Sequence, residues 1–525
     1  MMLVPAALAL AFAQASPVLP IAQTTVSVTV APAPPSSAVP FVALHTYFMA
    51  PGGSDSNSGA DAAHAWATPN HAVKCGDVII AAAGAYTAAN YGTNHWGAVS
   101  NCPSTSGGID GAGGVYFAVV LCAGSLGACT VNGGSAEAFR VDQSNWAVEG
   151  FQGTQNPTGN SGCFIGTSET SGATRHHIAF INDMAVNCDS QGFATYSWTS
   201  PASGVDQTAV VGAITYNASP STGSPCASGI SIIPYNGSDA SGGTHIFVAG
   251  NFGYKNINAP SGATCNTDGE GLIFDSWACG SFKYQAAAEQ NVWWANGSAG
   301  FEAYPNHASC PSGSDIAQVY VFGNTSYGNN QDTHHTGGGE GELYLNQLYP
   351  VSGSTIYNVT GNIFAATMAK AGQATVYGAS GYVNNAVTSP VSASGNYIWQ
   401  SNPGTRFTAG GPNTDVYVNG TRNTTSWPFG ANTYANPGFA NPSALPTGAP
   451  NCAGYANTTD CMNAGYGVYA ALTPSGGASG YGYKPPGPCA PDPYFPPWLK
   501  GIVYLRWDGA ALTEASGLVT KPCGL

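Results

Sequence analysis

Charge is what this chain has least of. Asp, Glu, Lys and Arg make up 7% of its 525 residues, and cations are the scarcer sign, 12 against 26 acids, for a net charge of −14. Such a surface repels nucleic-acid phosphate and has no basic patch to offset the repulsion, so a nucleic-acid partner is excluded. Beyond the N-terminus no apolar run is long enough to span a bilayer. Runs of Ala, Leu, Glu, Lys and Arg at helical spacing are also missing, which argues against a helix bundle.

Glycine is abundant instead, with 70 residues beside 36 prolines and many Ser, Thr and Asn. Short runs of Val, Ile, Phe, Tyr and Trp lie between Gly and Asn turns, the pattern of short β-strands. A hydrophobic content of 43% is too high for a disordered chain. Of the 14 cysteines, Cys122/Cys129, Cys163/Cys188 and Cys452/Cys461 are close pairs, and none shows the spacing of a zinc site. Disulfides are expected, and with them an oxidising compartment. Residues 1–15 read as a secretion signal, an apolar stretch ending in Ala13-Gln14-Ala15, so a secreted, extracellular protein is expected. Residues 16–44 are a Pro-, Thr- and Val-rich linker, 45–445 carry the repeat described next, and 446–525 form a C-terminal tail expected to cap or fold back on the open end.

The repeat is the most specific feature. Five segments carry a small residue or Asn, four residues, then Asn: "NDMAVN" (182–187), "GAITYN" (212–217), "NFGYKN" (251–256), "NVWWAN" (291–296) and "NTSYGN" (324–329). Each follows a β-type run and precedes a glycine that opens another short strand, at Gly192, Gly229, Gly271, Gly300 and Gly341. A partial sixth copy starts at Ser354. Stacked coils of this kind bury a core that one coil cannot, and Asn at equivalent corners can form a hydrogen-bonded ladder.

The segment just before the repeat, with Tyr47, the turn Pro51 to Gly59, Trp66 and the strand Gly76 to Tyr86, resembles the N-terminal part of secreted right-handed parallel β-helix proteins of the pectate-lyase-like superfamily. The resemblance implies an all-β fold, a right-handed parallel β-helix with an N-terminal cap and an irregular C-terminal tail. It is silent about the reaction.

On that frame the scarce acids gather. With each strand-opening glycine as position zero, positions one and three are mostly apolar and point inward, while two and four point outward. Asp275 takes position four and Glu302 position two of the next coil. A coil spacing of about 4.8 Å and a two-residue step of about 6.7 Å place their Cβ atoms roughly 8 Å apart. Asp268 and Glu270 lie in the turn before the same strand, and Glu340 in the equivalent turn of the coil beyond Glu302. Tyr196 and Tyr304, both at position four, are expected as sugar-stacking platforms, with His307 and "DTHH" (332–335) on loops beside them. Glu342 falls at an inward position, so a shift of register or an open edge is expected there.

Clustered carboxyls repel unless one is protonated or a cation is bound. Calcium prefers oxygen ligands, and "TDGEGLIFD" resembles the acidic calcium motif of family-nine pectate lyases. The resemblance implies Ca²⁺ at Asp268 and Asp275 and a lysine base, for which Lys283 is the candidate beside Glu270 and Glu302. Glu270 is an insertion relative to that motif, and no lysine lies between Lys283 and Lys370. Three readings follow: a calcium-assisted lyase of a uronate or pectate-type polysaccharide, an inverting glycoside hydrolase using Asp275 or Glu270 with Glu302, and a non-catalytic glycan-binding or adhesin β-helix. The first is favoured, acting as a monomer on a polysaccharide substrate. A separate row, His176, Asp206 and His245, recurs at one repeat position and reads as a polar surface ladder rather than a metal site.

Overall fold

A computed structural model describes residues 43–92, 94–103, 115–155, 162–168, 173–197, 204–218, 226–234, 243–257, 268–275, 284–304, 318–332, 341–345, 357–367, 381–383, 391–400, 416–418, 421–423, 431–486, 492–499, 505–507 and 509–514. The suspected secretion signal and most of the linker, residues 1–42, lie outside them.

Each coil gives one strand to each of three long sheets, so strands three apart in the chain are hydrogen-bonded neighbours. Sheet one runs from Thr46–Met49 to Val391–Ala393, sheet two from Gly84–Thr87 to Thr433–Tyr434, and sheet three from Phe139–Val141 to Thr421–Asn423. Pairing is parallel throughout except for the last pair of sheet three, which is an antiparallel hairpin. This is the right-handed parallel β-helix, the hand that parallel crossovers adopt.

The inward columns explain why the coils stack. On sheet three, Phe139, Phe164 and Phe193 stand in register, with ring centroids 4.6 and 4.7 Å apart. Ile230, Leu272, Phe301 and Leu343 continue the same column. All are buried in one core shared by every coil. Burial of this kind stabilises by roughly 1.5–3 kcal/mol per large side chain.

Polar corners are satisfied by an asparagine ladder through Asn251, Asn291, Asn324, Asn362, Asn396 and Asn432. Asn291 is typical. Its Oδ1 accepts from Asn251 N at 3.0 Å and Asn251 Nδ2 at 2.9 Å, while its own Nδ2 donates to Val248 O at 3.0 Å and Asn324 Oδ1 at 2.9 Å. The residue before each of the first five ladder members has positive φ: Gly250, Gln290, Gly323, Gly361 and Gly395.

This geometry corrects the frame of the sequence repeat. Met184, Ile214 and Phe252 are in register, so Asp183 and Ala213, not Asn182 and Gly212, align with Asn251. Asn182 and Gly212 occupy the positive-φ corner instead, at 56° and 57°. A left-handed corner accepts Asn and Gly alike, and that is why "NDMAVN" and "GAITYN" read one residue out of step.

The C-terminal tail lies along the flanks of the coils. Residues around Leu445, Cys461, Val468, Leu472 and Tyr483 pack on the outer side of sheet two. Phe495, Trp498, Leu499, Leu505 and Leu512 pack on the outer side of sheet one. The tail therefore folds back over two of the three faces. The expected pairs Cys122–Cys129, Cys163–Cys188 and Cys452–Cys461 are disulfides, as is Cys75–Cys102.

Candidate functional site

Neither of those two apolar clusters of the tail includes the outer side of sheet three, where the acids sit. On the strand Leu272–Asp275, Leu272 and Phe274 join the core, so Ile273 and Asp275 turn outward. The next coil's strand Phe301–Tyr304 is in register, with Glu302 opposite Ile273 and Tyr304 opposite Asp275. Asp275 and Glu302 are thus diagonal neighbours on one outer face, and the spacing of about 8 Å between their Cβ atoms follows from strand geometry. Asp275, Tyr196 and Tyr304 are half-buried, whereas Glu302 is 4% exposed and forms part of the floor.

Glu270 comes from the turn entering the same strand and is fully buried. Its Oε2 accepts a hydrogen bond from Ser228 Oγ at 2.6 Å, one coil earlier. Its Oε1 has no N–H or O–H donor of ordinary geometry, and the Glu302 carboxyl and the Ser298 hydroxyl, from the next coil, are within reach of the side chain. Two carboxyls in contact require a proton between them. Burial, and then the charge of Asp268, push Glu270 up to about 7, against the opposing pull of Ser228, Glu302 and Ser298. Sequence reasoning passed over Ser228 and Ser298, because serine is common in every turn of this chain.

The turn beyond closes the group. Ser298 N donates to Gly269 O at 3.0 Å, Asn330 N to Ser298 O at 2.8 Å and Asp332 N to Gly297 O at 3.0 Å, so residues 268–270, 297–298 and 330–332 stack as three successive turns. Asp332, flagged beside its two histidines in the sequence, is 2% exposed in this stack. A side chain on Gly297 would press on it, with an added Cβ 3.2 Å from Asp332 Cβ.

Lys283, His307, Glu340, His334 and His335 lie outside the described residues. Glu342 does shift the register. It aligns with Gly300 through the pairing of Phe301 with Leu343, in the place where the four preceding coils have Gly192, Gly229, Gly271 and Gly300. Its carboxylate ends the second corner ladder, Asn256–Asn296–Asn329, by accepting from Asn329 N at 3.0 Å, Asn329 Nδ2 at 2.6 Å and Ser326 Oγ at 2.6 Å. Burial pushes Glu342 up to about 7 in spite of these donors.

Glu302 is within reach of the Glu270 side chain, which favours Asp275 over Glu270 as its partner across an intervening water. The histidine row is corrected, because it is not a surface ladder. His176 does pair with Asp206, but His245 sits at a bulge and reaches Asp206 with Nδ1 to Oδ1 2.8 Å, and His177, Asp206 and His245 are buried.

Calcium was expected on Asp268 and Asp275. Among the described residues, no group of three or more His, Cys, Asp or Glu side chains is arranged to hold a metal ion. Asp268 and Asp275 are the described carboxyls that would hold such an ion beside the Glu270–Glu302 pair.

No family model matches the chain, and no curated protein matches it either. Among solved structures, pectate lyase Pel9A is similar at 13% identity with a TM-score of 0.39, covering 79% of this chain and 88% of that one. A rhamnogalacturonan lyase is similar at 14% identity with a TM-score of 0.29, covering 65% of this chain and 87% of that one. The architecture stands on the strand registers, independently of either likeness.

Proposed function

We propose that this chain is a polysaccharide-degrading enzyme working on the outer face of sheet three. The carboxyl pair Glu270–Glu302 carries the reading. A carboxyl that keeps its proton close to neutrality is suited to general-acid catalysis, with a contribution of roughly 10²–10⁴-fold. Both ways of breaking a glycosidic bond need such an acid, since the departing sugar oxygen must be protonated. Glu302, at the edge of the floor and beside the half-buried Asp275 and Tyr304, is the member placed to meet substrate. Tyr196 and Tyr304 offer ring faces for sugar. The disulfides support extracellular action.

The finer reading is elimination from a uronate polysaccharide, with Asp268 and Asp275 serving calcium and Lys283 as the base. An ion bound there would acidify the proton next to the sugar carboxylate. Within this reading the chain's own acid pair delivers the proton to the leaving oxygen. Inverting hydrolysis is the second reading, and the Asp275–Glu302 register favours it. Diagonal neighbours with Cβ atoms about 8 Å apart can hold their carboxyls at the roughly 6.5–9.5 Å that leaves room for a water, with Glu302 as acid and Asp275 as base.

The test is incubation with polygalacturonate, alginate and neutral glycans. Unsaturated products absorbing in the ultraviolet identify elimination, and new reducing ends without that absorbance identify hydrolysis. Binding without either product would leave a glycan-binding β-helix and remove the enzyme reading.

A further inference from the structure

The turns entering sheet three align Gln191, Ser228, Glu270 and Ala299, each two residues before a core side chain of the following strand, Phe193, Ile230, Leu272 and Phe301. The register sets Ser228 beside Glu270 along the stack, and Gly229 N, donating to Glu270 O at 2.8 Å, holds the two turns at one level. Gln191 is engaged elsewhere: Nε2 donates to Cys226 O at 3.0 Å, and Oε1 accepts from Ser190 Oγ. Ala299 has nothing to donate. Ser228 is thus the side chain of this row that donates to Glu270, with Oγ 2.6 Å from Oε2 and both residues fully buried. No side chain at 229 could take its place, since a Cβ added to Gly229 would lie 2.6 Å from Thr215 Oγ1 and 2.7 Å from Gly271 O.

The direction of that bond decides where the Glu270 proton sits. Were the carboxyl protonated on Oε2, it would donate to Ser228, and the Ser228 hydroxyl proton would have no described acceptor in a site closed to water. A buried donor left in that way forfeits its full hydration. With Ser228 donating to Oε2, the proton falls to Oε1, the oxygen that receives no donor of ordinary geometry. We propose that Ser228 is a positioning residue for this acid, holding Oε2 toward the earlier coil and keeping the transferable proton on Oε1, toward the coil that carries Glu302. The assignment rests on the reading of Glu270 and Glu302 as the acid pair of the site.

The groups around Glu270 fix the sign of the effect. Asp268 comes from the same turn, Ser298 and Glu302 from the next coil, and Asp332 from the turn stacked beyond Gly297. Burial, and then the charge of Asp268, raise Glu270 to about 7, and Ser228 pulls the other way. A donated hydrogen bond favours the ionised carboxyl over the neutral one. Removing the Ser228 hydroxyl therefore raises the titration of Glu270 further, whereas a change in packing alone leaves it where it is.

Infrared difference spectra of the full chain between about pH 5 and about pH 9, without substrate, test the positioning separately from any catalytic reading. The protonated-carboxyl stretch that disappears in Glu270→Gln belongs to Glu270. In Ser228→Ala the carbonyl oxygen Oε2 loses its donor, so that band is expected to move to higher frequency and its titration midpoint to rise by about one pH unit. A band unchanged in frequency and midpoint overturns the role of Ser228. On the responsive glycan, Ser228→Ala is expected to carry the alkaline limb of kcat upward with the band and to lower kcat by about ten-fold at little change in KM. Ser228→Ala in the Glu270→Gln background should add nothing further. A loss of rate with the limb in place, or an equal further loss in that background, makes Ser228 merely structural and overturns the proposal. A band that shifts as expected in a chain that cleaves no glycan upholds the positioning and removes the catalytic reading instead.

Discussion

Glu270 and Glu302 meet side chain to side chain across two successive coils, one from a turn and the other from the strand that follows the next turn. The contact exists because stacking puts the turn 297–298 directly on the turn 268–270. Its chemistry follows from charge scarcity. No described cation forms an ion pair with Glu270, so the pair is relieved by sharing a proton.

The first consequence is a pH limb. Glu270 is pushed up to about 7 by burial and by Asp268, so its carboxyl is protonated below that value and loses its proton as pH rises through it. Activity on the responsive glycan is expected to fall above about pH 7, and Glu302→Gln to lower kcat by about 10²-fold or more. A Glu302→Gln enzyme of unchanged rate removes Glu302 from the site. Glu270→Gln is expected to move the alkaline limb, and a limb that stays in place in that variant assigns it to another group.

Chelation separates the two cleavage chemistries. Under elimination, a chelator abolishes product formation, added calcium restores it, and Asp268→Ala or Asp275→Ala flattens the calcium response. Under inverting hydrolysis, chelation leaves the rate unchanged, and Asp275→Ala alone stops turnover. Initial rates with and without calcium, on all three proteins, read out both patterns.

Tyr304 stands in register with Asp275, and a ring beside the reacting carboxyls is expected to hold sugar rather than to move protons. Tyr304→Ala should raise KM by roughly ten-fold, while kcat changes little. A loss confined to kcat would give the tyrosine a role in the chemical step instead.

Much of this fold was legible in the sequence, because glycine corners and strand alternation are local signals. The inward column Leu272, Phe274, Phe301 and Ala303, and the outward placing of Asp275 and Glu302, followed from alternation alone. Corners were harder to place. Asn182 and Asn251 look alike in sequence, yet the first adopts a left-handed turn while the second bridges coils. Glu342 looked misplaced until the pairing of Phe301 with Leu343 put it where the four preceding coils carry glycine. The burial of His177, Asp206 and His245 could not be read, since it comes in part from Trp498, more than two hundred residues along the chain, whose Nε1 donates to Thr244 O at 3.0 Å.

Glu342 gives stability a dependence on pH. Its carboxyl is pushed up to about 7 by burial, so its contribution is complete below the ordinary glutamate value of about 4.5 and is lost as pH rises through about 7. Glu342→Gln would set an amide donor against Asn329 N or Asn329 Nδ2, at a cost of about 1–3 kcal/mol. It would also remove that group's part of the slope. Urea unfolding midpoints of both proteins at about pH 5 and about pH 8 measure the two effects.

The ladder itself makes the last prediction. In Asn291→Ala, Oδ1 no longer meets the amide and side chain of Asn251, and Nδ2 no longer meets Val248 O or Asn324 Oδ1. Asn291 is fully buried, so those groups have little access to water to replace it. The loss is expected to be about 2–4 kcal/mol, larger than for a single exposed hydrogen bond. Asn432, the last member of the ladder, has only one described neighbour in it, Asn396, and stands in a partly exposed corner. Asn432→Ala should therefore cost less than half as much. Equal losses at the two positions would mean that coil-to-coil hydrogen bonding is not what the ladder contributes, and that its asparagines are kept for the shape of the corner instead.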